Sequence, residues 1–227
     1  MGLTMIRQHE NRSVSDQIYD TLRKNILDGS LKPGDYLVEA KVAKELNVSI
    51  TPVRRAFMEL HGKGLLEVFP YRGSFVKIFT YEDAEELIEA RKMFEPAAYR
   101  LGMNSFTEED IVQLEEYCRS ADAYAEQGDI LASVEQDIAF HEYIVMKGGN
   151  RIFSEIWNIL KERITFFQVM TKQETQKLIP LTMERHQKIM DAIRNKDYTG
   201  FVNSLSEHLT FAVKAAALPR AETINYR

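Results

Sequence analysis

The stretch that decides the fold is SITPVRRAF, Ser49 to Phe57. Val53, Ala56, Phe57 and, just beyond, Leu60 recur at steps of three and four, the spacing of one buried helix face. Thr51, Arg54, Arg55 and Met58 fall on the other face, so two adjacent guanidiniums share an open side near the helix start. Pro52 is harmless in that first turn, where backbone N–H groups have no intrahelical acceptor. Ser49 is suited to cap the helix. A chain of net charge −5 thus places two cations where the helix dipole already favours an anion.

Working outward toward the N-terminus, Ser13 and Asp16 predict a capping box, and Val14, Ile18, Leu22 and Ile26 a buried helical stripe ended by Gly29. Pro33-Gly34 signals a turn. EAKVAKEL predicts a short second helix with Val42, Ala43 and Leu46 inward, Asn47 as a left-handed stop and Val48 plugging the corner. Helix, tight turn, helix is a helix-turn-helix, and SITPVRRAF is its second helix. The N-terminal residues of such a helix meet base edges, and arginine is the side chain best able to fork onto guanine or a phosphate.

Working toward the C-terminus, Leu66–Phe69 and Ser74–Ile78 read as two short strands around a Pro70–Gly73 turn. A hairpin in this position is a wing, with Arg72 at its tip where a cation can reach a minor groove or the phosphate backbone. Gly73 is expected to supply a positive φ.

These residues resemble the winged-helix domain of GntR-type bacterial transcription regulators. The resemblance runs from Val14 to Val76 and rests on Ile18-Tyr19 to Ile26, Leu31-Lys32-Pro33-Gly34, Val48-Ser49, Thr51-Pro52-Val53-Arg54, Gly64-Leu65 and Arg72-Gly73. It implies that Ser49, Thr51, Arg54 and Gly73 make or position DNA contacts. With Pro52, Arg55 and Arg72 they form the candidate DNA-binding set. Two positions depart from the family pattern: Ile50 stands where an arginine that reads a base is usual, and Arg55 where a glutamate is usual.

Residues 81–227 are a different kind of sequence. They carry 17 Lys/Arg against 25 Asp/Glu, whereas residues 1–80 carry 12 against 9, so the side that approaches a polyanion lies at the N-terminal end. Thr80-Tyr81-Glu82-Asp83 and Thr107-Glu108-Glu109-Asp110 are capping-box starts. Helices are expected at roughly 81–102, 107–127, 129–147, 150–171, 174–195 and 197–217. The fold class is therefore mainly α: a winged helix-turn-helix with a small β-hairpin over residues 10–79, then an antiparallel all-α bundle over 80–220.

In that bundle Asp137 and His141, four apart, project from one helix face. Residue 197, where a turn is expected, lies midway between His186 and His208. Positions equidistant from the turn of an antiparallel hairpin come level, each about 16 Å down its helix. One carboxylate and three imidazoles brought together suit Zn, Ni or Mn. His9 and His61 have no such geometry. This part of the chain resembles the FCD effector domain, named for the C-terminal region of FadR. The resemblance implies that Asp137, His141, His186 and His208 are metal ligands, that a small organic acid completes the coordination, and that the domain forms a homodimer. Arg91, four before Glu95, is the candidate carboxylate anchor by the same resemblance, or else a plain i,i+4 partner of Glu95. Asn150 is expected to cap a helix.

No run approaches the ~20 apolar residues of a membrane span, the first residues have no apolar signal core, and the lone cysteine, Cys118, excludes an internal disulfide. A cytoplasmic regulator of double-stranded operator DNA, modulated by a carboxylate at a metal site, is expected. The alternative is a hydrolytic enzyme using the same Asp and three His, for which Glu142 is the one nearby general base in sequence, though a 100° step off the His141 face. A purely structural metal is the third reading.

Overall fold

The computed structural model describes residues 12–175, 182–214, 216, 218–224 and 226. His9, the expected domain start at residue 10 and the expected helix end at residue 217 fall outside them. The chain divides into two compact units, Met1–Phe79 with Glu222–Arg227, and Thr80–Ala221.

The first unit contains α1 (Val14–Leu27), β1 (Tyr36–Leu37), α2 (Glu39–Leu46), α3 (Ile50–Gly62), β2 (Leu66–Phe69) and β3 (Gly73–Val76). Ser13 and Asp16 form the reciprocal capping box that starts α1. Ile18, Leu22 and Ile26 are fully buried against α3, but Val14 is 38% exposed, because the first residue of the helix overhangs the core edge. Asn47 ends α2 in the left-handed conformation, φ 54, and turns the chain directly into α3. The sheet has three antiparallel strands in the order β1-β3-β2, with Tyr36 opposite Phe75 and Phe69 opposite Gly73. A two-residue strand such as β1 is too short to show alternation in sequence. At Gly73, φ is +98, and a Cβ would lie 2.4 Å from the Tyr36 ring, so this position excludes side chains on two grounds.

The second unit is built from α4 (Tyr81–Gly102), α5 (Glu108–Glu126), α6 (Ile130–Lys147), α7 (Arg151–Thr175), α8 (Thr182–Arg194) and α9 (Tyr198–Lys214). Thr80 and Thr107 start α4 and α5 with capping boxes, and the Asn150 side chain accepts from the Ile152 and Phe153 amides at the start of α7. Helix α7 continues to Thr175, four residues past its expected end. Packing runs α4 to α6, α6 to α5, α5 to α8, α8 to α9 and α9 back to α4, with α7 laid against α4 and α6. Five helices therefore enclose one interior, and α7 closes over part of it. The ends of α4 and α6 meet through glycine alone: a Cβ on Gly102 would sit 2.4 Å from the Lys147 carbonyl, and one on Gly148 2.6 Å from that of Ala98. Cys118 is fully buried on α5, an apolar packing residue whose thiol pKa burial pushes up.

Asp110 ties α5 to α6. It accepts from the Thr107 amide at 2.7 Å, the Tyr143 hydroxyl at 2.5 Å and Lys147 Nζ at 2.7 Å. Burial alone would raise this carboxyl, but Lys147, Tyr143 and the amide outweigh it and hold the pKa at about 2. The folded value lies below the ~3.9 of an unfolded aspartate. Its contribution to stability is therefore complete above pH ~4 and is lost as the pH falls toward 2. In urea titrations at pH 6, Asp110→Asn should cost about 1 kcal/mol. That deficit should shrink between pH 4 and pH 2.5.

Candidate nucleic-acid interface and metal centre

Packing against α1 buries Val53, Ala56, Phe57 and Leu60 of α3, and leaves Ser49, Ile50, Thr51, Arg54, Arg55 and Met58 exposed. Pro52 is half-buried in the first turn. The guanidinium face is thus not sealed against the unit that carries it. Ser49 has the extended backbone of an N-cap, yet its hydroxyl accepts no bond from the helix, which corrects the expectation that its side chain caps α3 and leaves that oxygen on the surface. The two arginines differ. Arg54 reaches across to α2 and grips Glu39, Nε donating at 3.0 Å and Nη2 lying 2.9 Å from the same oxygen. Arg55 stands exposed beside it. Glu39 had no signal in the sequence, because it lies fifteen residues away on another helix.

At the wing, Tyr71 is fully exposed with φ 62, and Arg72 follows it. The Arg72 guanidinium lies over the Phe69 ring, 5.4 Å from its centre, and Nη2 donates to the Tyr226 carbonyl. The Tyr226 ring packs on Phe69 and Phe75 at 5.2 and 5.3 Å, and its hydroxyl accepts from the Ile78 amide at 3.0 Å. A residue near the C-terminus therefore completes the wing's aromatic cluster. A solitary tyrosine in a polar tail was its only trace in the sequence.

In the helical unit, α6 turns Asp137 and His141 inward, α8 supplies His186 and α9 His208, and all four are buried. Among the described residues, the ligand atoms of His141, His186 and His208 all lie within 4.8 Å of one another. Asp137 stands just beyond that group, Oδ1 3.5 Å from His186 Nε2, and its Oδ2 accepts from Gln168 of α7 at 2.6 Å. His141 Nδ1 is 2.8 Å from Glu95 Oε2, and His186 Nδ1 is 2.7 Å from the Thr182 carbonyl.

Those two contacts decide the tautomers. A carbonyl oxygen only accepts, so His186 Nδ1 donates. Burial would raise the Glu95 carboxyl, but Arg91 and His141 overcome it and bring the pKa to about 2; Glu95 is therefore ionised, and His141 Nδ1 donates as well. The two Nε2 atoms stand 3.3 Å apart in the buried interior, and with both rings neutral their lone pairs face each other. Burial pushes His186 down to about 3, against the attraction of Asp137, and His208 is likewise lowered by burial. His208 Nδ1 is buried without a hydrogen-bond partner among the described residues. A divalent cation fits this donor set, and the outer bonds to Glu95 and Thr182 are of the kind that orient metal-binding imidazoles.

Arg91 lies behind this centre. It is 2% exposed, and its Nε is 2.5 Å from Glu95 Oε1. The pair with Glu95 is present but buried, not a solvated surface pair. Arg185 and Lys188 line a cavity of about 240 Å³ that reaches His208 and Ser204. His61 is outside both sites, its Nδ1 2.9 Å from the Leu66 carbonyl.

Both units of the chain match known protein families. Residues 14–76 match the profile of bacterial regulatory proteins of the gntR family, and residues 86–211 that of the FCD domain. The chain is 30% identical over 210 residues to the probable D-xylose utilization operon transcriptional repressor of Paenarthrobacter nicotinovorans, covering 90% of this chain and 89% of that one. It is 28% identical over 205 residues to the galactonate operon transcriptional repressor of Escherichia coli K12, covering 81% and 88%. The structure of E. coli McbR/YncC superposes with a TM-score of 0.69 at 24% identity, over 89% of this chain and 96% of that one, a likeness of fold. These relatives are regulators, not enzymes, which removes the hydrolase alternative. The chain belongs to the GntR family, as a DNA-binding transcription regulator with a winged helix followed by an FCD domain.

Proposed function

We propose that this regulator is a cytoplasmic homodimer that represses its target operon and responds to a small organic acid at a metal site. The observation that carries the metal reading is the pair of facing Nε2 atoms with both Nδ1 positions already committed. His141, His186 and His208 would hold the ion, with Asp137 as the carboxylate nearest to them. Bound there, a Zn, Ni or Mn ion supplies a Lewis-acidic coordination position for a carboxylate oxygen. The chain's own residues do the rest. Glu95 and the Thr182 carbonyl orient the imidazoles, and Gln168 restrains Asp137. Arg91 holds Glu95 through Nε, and its Nη2, buried with no hydrogen-bond partner among the described residues, leaves it a candidate anchor for a ligand carboxylate as well. Arg185 and Lys188, at the cavity beside His208, are the cations placed to meet an organic acid.

Repression is supported by the two relatives named as repressors. Dimerisation is supported by Ile152, Ile156 and Ile159, 38–53% exposed along one stripe of α7. Two winged helices would then read an inverted repeat, one half-site each. An acid that favours one state of the dimer by 1–3 kcal/mol changes operator occupancy roughly 5- to 150-fold. A cytoplasmic location suits a DNA target; no helix among the described residues is long and apolar enough to cross a membrane.

Two experiments test this. Metal analysis of the purified protein, followed by thermal melts after chelation, should show a lower Tm that stoichiometric Zn, Ni or Mn restores. His186→Ala should bind no metal and show no restoration; a melt indifferent to chelator and metal would remove the site. Gel shifts on DNA flanking the protein's own gene test the interface. Arg54→Ala should lose about 1–3 kcal/mol of specific binding. Arg72→Ala should weaken all duplexes alike and reduce the salt slope by ~1.

A further inference from the structure

The open face of α3 begins with an isoleucine. Ile50 is the first residue of the helix and is 44% exposed, and Met58, two turns on, is 57% exposed. Ile50, Arg54 and Met58 follow one another at steps of four, so the two apolar side chains flank Arg54 along one edge of the recognition face. The residues that pack α3 into its unit are Val53, Ala56, Phe57 and Leu60, and Ile50 is not among those buried. No packing requirement of the described unit accounts for an aliphatic group there.

The first turn of a recognition helix is the part that enters deepest among base edges in the major groove. Of the four bases, only thymine presents an apolar group there, its C5-methyl; guanine, adenine and cytosine offer hydrogen-bonding atoms alone. An isoleucine over the methyl removes apolar surface from water on both partners. Over a G·C pair it would strip hydration from N7, O6 or N4 and return nothing. The polar side chains nearby point to other positions: Arg54, braced by Glu39, lies 40° around the helix and one turn on, and Thr51 and Arg55 lie 100° and 140° around it from Ile50. We propose that Ile50 is a specificity-determining residue that reads a thymine methyl in each half-site of the operator.

The inference rests on DNA binding and is independent of the metal site. In its test, the full chain first selects a motif from random duplexes. Each thymine of that motif is then replaced singly by deoxyuridine, which differs only in lacking the methyl. One thymine per half-site should be sensitive, with affinity falling roughly fourfold, the value of one methyl group removed from water. Ile50→Ala, at an exposed position and checked for an unchanged melt, should bind the thymine and uracil duplexes equally. The proposal is overturned if no substitution changes affinity beyond twofold. It is equally overturned if the methyl effect survives in Ile50→Ala, since another residue would then be reading that group.

Discussion

Two ring nitrogens, Nδ1 of His141 and Nδ1 of His186, are each spoken for by an acceptor that can take only a proton. That constraint organises the helical unit. It aims both Nε2 atoms at one point, 3.3 Å apart. Three imidazoles and a carboxylate cannot be buried cheaply, and the surrounding groups are those that make the burial tolerable. Arg91 and Glu95 form an ion pair at 2% and 1% side-chain exposure. A buried pair of this kind is a weak source of stability, so its place in the fold is better explained by what Glu95 does for His141. The charge of Arg91 keeps Glu95 ionised, and ionised Glu95 holds a proton on Nδ1 of that imidazole.

The winged-helix unit shows a parallel division of labour among cations. Arg54 and Arg55 are adjacent in sequence, yet one is braced by a carboxylate from the preceding helix while the other stands exposed. A braced guanidinium loses less freedom when it meets a base, and an exposed one can follow a phosphate. Arg72 is a third case, because its hydrogen-bond partner is a backbone carbonyl. That carbonyl belongs to Tyr226, whose ring forms part of the hydrophobic support beneath the wing. The wing is therefore a structure of two distant pieces of chain, and the presentation of its cation depends on both.

Much of this was legible in the residues themselves. The capping boxes at Ser13, Thr80 and Thr107 are local, since the residues that satisfy one another are three apart; Asn47 announces its left-handed turn by itself. The alternation of Val53, Ala56, Phe57 and Leu60 with Thr51, Arg54 and Arg55 follows from helical periodicity, and periodicity alone says which side of α3 faces out. Equal spacing of His186 and His208 from Asp197 brought those rings level by geometry of the hairpin. Resemblance to known families then joined His141 to them.

Tertiary structure decided everything that depends on side chains meeting across elements. Glu39 on Arg54, Tyr226 on Arg72, Gln168 on Asp137 and the Thr182 carbonyl on His186 join positions whose separation in the chain carries no pattern. The same is true of β1, whose two residues gain strand character only by pairing with β3. Arg91 is the clearest instance. Its spacing from Glu95 showed a pair, but whether that pair lay in water or in the core was a property of α4 packing against α6 and α9. Local periodicity and capping chemistry therefore determined the helices and their faces, because hydrogen bonds and burial within a few residues suffice to set them. The partners of the buried charges were decided by the packing of whole helices, which no short stretch of sequence contains.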